Sequence, residues 1–307
     1  MNNSFYQSSH DGEEYLFFAI VVDGGTNYVI QGNKIGGSAP DLGGNAWKVI
    51  ETPTTYSFVG IDCSFDYYGN NIIKNNTIAK IDFLSSLGTT SGGGTWCGIQ
   101  IRNGKFNVSN NTIGSATATD ITQLKCSNAA WMVAMNLTGS NSRAVDTIAN
   151  NTITGLVNTG TTAGSAGVIK GIVVGGSANK VIYGNTIGHP TNANALRAGD
   201  DGVSTSPTGI VGIEVGSTGT NTVQNNTIAN LSSFGTSTDA GNLWGIKTVF
   251  ITSGSGATNN ISNNTIYKFI SRNARTTSSG SSTPTAGISA YGGTTNNITG
   301  NTVYDIR

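Results

Sequence analysis

One short motif recurs along this 307-residue chain and dictates most of what it can become. It reads Asn33-Lys34-Ile35, Asn76-Thr77-Ile78, Asn111-Thr112-Ile113, Asn151-Thr152-Ile153, Asn185-Thr186-Ile187, Asn226-Thr227-Ile228, Asn264-Thr265-Ile266 and Asn301-Thr302-Val303. The intervals are 43, 35, 40, 34, 41, 38 and 37 residues. A loose period of this length, with insertions of variable size, marks a solenoid in which each repeat buries its apolar face only against its neighbours.

Superposing the repeats gives each column a physical meaning. Three residues before the Asn stands Ile or Val every time, and two residues after it Ile, or Val303 in the last repeat. The residue just before the Asn is Asn75, Asn110, Asn150, Asn225 or Asn263, and otherwise Gly32, Gly184 or Gly300. Asn and Gly enter the left-handed region most easily, so the chain is expected to bend there between two short strands. The motif Asn would then point inward and stack amide on amide, a ladder of Asn33, Asn76, Asn111, Asn151, Asn185, Asn226, Asn264 and Asn301.

A second block precedes each motif, as in Gly98-Ile99-Gln100-Ile101 and Gly212-Ile213-Glu214-Val215, with Val133-Ala134-Met135-Asn136 in the fourth repeat. Its period of two reads as a strand with Ile inward and the next residue outward. In five repeats Ile81, Leu156, Leu231, Phe269 or Ile306 follows the core and starts a third apolar stretch. About eight coils of three short strands are expected. A finer two-coil period runs through them: cores 1, 3 and 5 continue into Gly36, Gly114 and Gly188, whereas cores 2, 4 and 6 continue into Ala79, Thr154 and Ala229. Five residues before the Asn the first set carries Tyr28, Phe106 and Lys180, and the second Asn71, Asp146 and Asn221; the last two coils are of the second type.

Composition fits this reading. Gly, Asn, Thr and Ser make up about half of the chain, only 10% is charged, and the net charge is zero. No cationic face exists to displace counterions from phosphates, which excludes a basic nucleic-acid binder. The 36% of hydrophobic residues recur at fixed places, unlike those of a disordered chain. Residues 1–14 are polar without a basic leader region, and Tyr15 to Val22 is too short to cross a membrane. The chain therefore divides into a polar segment, 1–14, and one solenoid domain, 15–307. The domain is expected to be a fragment of a longer array whose export signal lies outside this chain. Cys63, Cys97 and Cys126 have no metal-ligand spacing and are expected as buried thiols.

Gly212-Ile213-Glu214-Val215 through Thr222-Val223-Gln224-Asn225-Asn226-Thr227-Ile228 resembles the repeat of right-handed parallel β-helices of the pectin-lyase-like superfamily. More closely, the coils resemble Asn/Thr/Gly-rich β-helix regions of large bacterial secreted surface proteins. The resemblance covers 15–307 and implies an all-β, right-handed parallel β-helix with long variable loops. It implies no single activity, because the superfamily holds lyases, hydrolases, spikes, adhesins and inert stalks. Its enzymes work on the outward face of the Gly-Ile strand, here Val21, Asp62, Gln100, Met135, Val173, Glu214, Lys247 and Ser289.

No two carboxylates are neighbours in that column, and glycoside hydrolysis requires a pair flanking one bond. Glu214 and Lys247 are expected to form a cross-strand ion pair. Catalytic candidates, if the chain is an enzyme, are Asp62, Glu214, and Asp200 with Asp201 in the insertion that also holds His189 and Arg197. The adjacent Asp pair is like that of polygalacturonases, but their Gly-His-Gly and Arg-Ile-Lys motifs are missing. Asp66, Tyr67 and Tyr68 are candidates for stacking on sugars or holding calcium, and Trp47, in a long insertion, for an exposed aromatic contact. Trp96 and Trp131 fall in a packing column with Phe17, Phe58, Ile169, Ile210 and Leu243. The motif threonines form one outward column, as an ice-binding face would, but β-propensity explains them as well. The expectation is a non-catalytic extracellular or cell-surface module: a spacer, adhesin or filament segment contacting polysaccharide or surface glycan and self-associating end to end or laterally. No cofactor other than calcium, no nucleic acid and no membrane insertion are expected. The alternative is a polysaccharide lyase or glycoside hydrolase working in a loop-bordered groove.

Overall fold

Every ladder between named strands is parallel in the computed structural model, which describes residues 3–7, 16–51, 57–86, 88–117, 120–140, 144–160, 167–199, 208–234, 242–249, 256–271 and 285–307. Three sheets wrap one core, and the only helical turn among these residues is Pro40–Leu42. The first sheet stacks the Gly-Ile strands, from Leu16–Asp23 to Thr285–Ala290; the second stacks the strands before the bend, from Val29–Gln31 to Thr295–Thr299. The third carries the motif strands, such as Thr112–Ile113, and the apolar stretches after them, such as Thr122–Cys126. Two sheets are eight strands deep, but about six turns are full ones. The expected eight coils are corrected to that number because the end coils lack a neighbour on one side. In the last, Thr295–Thr299 is exposed along its whole length.

Bend and ladder form as the repeat demands. Asn75, Asn110, Asn150, Asn225 and Asn263 all have φ of 55–56°. Each motif Asn donates its Nδ2 to the Oδ1 of the next, at 2.9–3.0 Å, from Asn33 to Asn301. The ladder starts earlier than the motif count: Asn3 Nδ2 donates to Asn33 Oδ1 at 3.0 Å, and Ser4–Phe5 pairs with Lys34–Ile35. Asn3-Ser4-Phe5 is thus a further rung contributed by the segment read as merely polar.

The Gly of the Gly-Ile block lies within its strand and not at its start, at a point where the in–out alternation breaks while the register between strands is kept. A Cβ on Gly212 would stand 2.5 Å from the Gly245 carbonyl oxygen and 3.0 Å from Ile228 Cγ2, so only a very small residue fits where this sheet meets the motif Ile. Ala134 fills that place in the fourth coil. Cys97 is opposite Val133 and Ile99 opposite Met135, which corrects the expected register by one residue. Met135 points inward and is fully buried, Asn136 takes the outward place, and Met132, not Trp131, joins the packing column of Phe58 and Trp96.

The two-coil period also has a cause. Gly36, Gly114 and Gly188 turn with φ of 121°, 81° and 81°. A Cβ there would lie 1.7–1.8 Å from the carbonyl oxygen of Ala79, Thr154 or Ala229 in the next coil. The second-type coils bend one residue later, at Lys80, Gly155 and Asn230, so neighbouring corners nest. Lys268 and Asp305 bend in the same way in the last two coils.

Candidate functional site

Side chains with chemistry collect on the outer face of the first sheet. On either side of this Gly the strands present two outward rows. In one row Val59, Cys97 and Val133 form a small apolar cluster outside the main core, against Trp131 and Val173. In the other row Asp62, Gln100, Asn136, Val173, Glu214 and Lys247 lie in register.

Toward the C-terminal half these rows build a cleft. Lys170 Nζ lies 3.0 Å from Glu214 Oε1 and 3.8 Å from the centre of the Trp131 ring. Lys247 Nζ sits 4.0 Å from the Trp244 ring centre. Both are cation–π contacts made at a partly dried surface, where they are strongest. Burial lowers the Lys247 pKa; Glu214 opposes the shift and Lys170 adds to it. The cleft encloses about 190 Å³ and is also lined by Thr208, Val211 and Asn242, whose Oδ1 is sealed from solvent without a hydrogen-bond partner among the described residues. The expected Glu214–Lys247 pair is therefore corrected. Lys247 turns back along its own strand onto Trp244, and Lys170 reaches Glu214 from the coil before. The cleft thus gathers two indoles and two ammonium groups around one carboxylate.

The other candidates are scattered. Asp62 is 1% exposed, accepts from Arg102 Nε at 3.1 Å and Gln100 Nε2 at 3.2 Å, and meets a second Arg102 nitrogen. Its oxygens are occupied by structural partners, and it stands four coils from Glu214, about 19 Å at the usual strand spacing. That exceeds the roughly 5–10 Å of carboxylate pairs in glycoside hydrolysis. Asp200 and Asp201 lie outside the described residues. Asp66, Tyr67 and Tyr68 are exposed, with the two tyrosine rings edge to face at 5.1 Å. Trp47 is corrected from exposed contact to core: its strand registers Trp47 on Ile81, and the indole lies edge-on to Phe58 at 5.7 Å. His189 Nδ1 accepts the Thr191 and Asn192 N–H groups at 3.2 and 3.0 Å, a local turn cap. Among the described residues no three His, Cys, Asp or Glu side chains converge to hold a metal ion.

A larger groove of about 410 Å³ opens outside the third sheet, between Ser115–Thr117, Ile121 and Asn192–Ala195, with Arg197 at its edge. The three cysteines are buried and unbridged, and burial pushes the Cys63 thiol up to about 12 and the Cys97 thiol higher still.

Sequence reasoning missed Trp131, Lys170 and Trp244 as a group. Setting Ala134, the smallest residue of its block, opposite Gly98 would have placed Trp131 outside. No protein family, curated protein or solved structure matches the chain. What fold and site define together is a parallel β-solenoid with an aromatic–cationic cleft on its first sheet.

Proposed function

We propose that the chain is a non-catalytic module of an extracellular or cell-surface β-helix protein, related to the Asn/Thr/Gly-rich branch of the pectin-lyase-like superfamily, which holds a rigid rod and contacts glycan. One observation carries this reading: the two acids in the outward row that runs from Asp62 to Lys247 are each tied to a neighbouring cation, Asp62 to Arg102 and Glu214 to Lys170. Carboxylates held in this way cross-brace neighbouring coils and stiffen the surface. The aromatic faces at Trp131, Trp244, Tyr67 and Tyr68 are the surfaces for contact with sugar rings.

Incubation with pectins, alginates and surface glycans tests the proposal. Retention on immobilised polysaccharide without turnover is expected, weakened by Trp131→Ala and by Tyr67→Ala. Turnover that disappears on Asp200→Ala or Asp201→Ala would overturn it in favour of a lyase or hydrolase.

A further inference from the structure

Five residues before the ladder Asn, a second inward column runs through the coils. In its later part it is another amide ladder: Asn221 donates to Asn259, and Asn259 to Asn296, at 2.9 Å each. In coils 4 and 5 the same column holds Asp146 and Lys180 directly opposite each other, both side chains 0% exposed. Lys180 Nζ is 2.7 Å from Asp146 Oδ2, and the Phe106 backbone N–H donates to Asp146 Oδ1 at 3.1 Å. The place is built around this contact. A Cβ on Gly139 would lie 1.8 Å from Oδ2 and 2.8 Å from Nζ, and the Phe106 ring centre is 5.7 Å from Nζ.

As an ion pair the arrangement is poorly satisfied. An ammonium carries three donors, and among the described residues Lys180 has one acceptor. Beside it in register, Asn221 Oδ1 is buried with no hydrogen-bond partner among the described residues. Burial drives Asp146 up and Lys180 down, each against the attraction of the other, so both are pressed toward their neutral forms.

We infer that Asp146 and Lys180 are joined by an amide bond, an intramolecular cross-link between adjacent coils. The neutral amine of Lys180 attacks Cγ of the protonated Asp146 carboxyl, whose Oδ1 is polarised by the Phe106 N–H as an oxyanion is. The Nζ–Cγ bond forms, the Cγ–Oδ2 bond breaks, and a proton from Nζ leaves with the Oδ2 hydroxyl as water. No oxidant or cofactor takes part. The condensation replaces two buried ionisable groups by one neutral amide and leaves a single N–H, beside which Asn221 Oδ1 stands as an acceptor. Stacking of the two coils supplies the proximity, so the bond forms only in the folded chain.

Mass spectrometry of the native chain, unfolded after purification, decides the matter. The intact mass is expected one water below that of the sequence. Trypsin is expected to leave segment 144–170 joined to segment 171–197, with cleavage at Lys180 lost. Lys180→Arg keeps the charge and cannot condense in this way, so it is expected to return the full mass. A wild-type chain that is folded by circular dichroism yet yields the full mass and cleaves normally at Lys180 overturns the inference. That result would leave a buried ion pair holding register. Neither outcome depends on glycan contact.

Discussion

Replacing Asn151 with Ala tests how the solenoid is held together. Asn151 is fully buried, and its Oδ1 accepts the Asn111 N–H and Nδ2 at 3.0 Å each. Its own Nδ2 donates to Asn185 Oδ1 at 3.0 Å and to the Val108 carbonyl at 2.9 Å. The Asn111 amide retains the Ile73 carbonyl at 2.9 Å, and Asn185 Oδ1 retains the Asn151 N–H at 2.9 Å. One group loses its ladder partner without a replacement, the Asn111 N–H, because the Val108 carbonyl stays paired in the parallel ladder between Phe106–Ser109 and Val145–Ala149. At about 1–3 kcal/mol for a buried unpaired group, the loss is about 1–3 kcal/mol. The same change at Asn301, in the exposed end coil, lets water take over the freed bonds and should cost about 1 kcal/mol or less. Guanidinium denaturation followed by far-ultraviolet circular dichroism reads both. A biphasic transition in the Asn151 variant is also expected, because each coil contacts only its neighbours and a weak one uncouples the two halves. Equal losses at Asn151 and Asn301 would refute the claim that the internal amide column carries stability.

Further outcomes follow from the packing and the charges. Gly212→Ala should cost about 1–3 kcal/mol through overpacking, whereas Ala134→Gly, at the equivalent place, should cost less; equal penalties in thermal melts would contradict the steric account. Glu214→Gln leaves Lys170 and Lys247 facing each other and should destabilise by about 1–3 kcal/mol at neutral pH. Because the folded-state pKa of Lys247 is lowered, its charge opposes folding below that pKa, and the burden lifts as pH rises toward the unfolded value of about 10.4. Glu214→Gln lowers the folded pKa further, so its deficit in melting temperature should shrink on raising the pH; a deficit that grows would be inconsistent. With Cys63 pushed up to about 12, and Cys97 and Cys126 raised as well, a thiol reagent at pH 8 should leave the native protein untouched and label all three only after unfolding. Rapid labelling of the native chain would count against this burial.

The architecture was legible because it repeats. An Asn column and a left-handed residue before it have one meaning in stacked coils, and both were found where the motif put them. The same alternation also places the fifth residue before the Asn on the inner side, as it does the third. Asp146 and Lys180 could have been read as buried from that count alone. The outer face was less legible, since the period of two breaks at Gly60, Gly98 and Gly212, and a register set one residue off in the fourth coil assigns Trp131 and Met135 to the wrong sides. Trp47 was misread because an insertion had no repeat against which to count. Which cation meets Glu214 depends on the reach of lysine stems across coils, and no spacing encodes that.

The amide column is directional. Along the ladder each Asn amide donates to the Oδ1 of the Asn in the coil that follows and accepts at its own Oδ1 from the Asn in the coil before. The dipoles add along the rod, which makes it an object with two unlike ends. Two such rods brought together through this column match only head to tail, since the other arrangements oppose donor to donor or acceptor to acceptor. An association of that kind does not close on itself as a twofold dimer does. It grows as a polar line, and each added unit repeats the orientation of the one before.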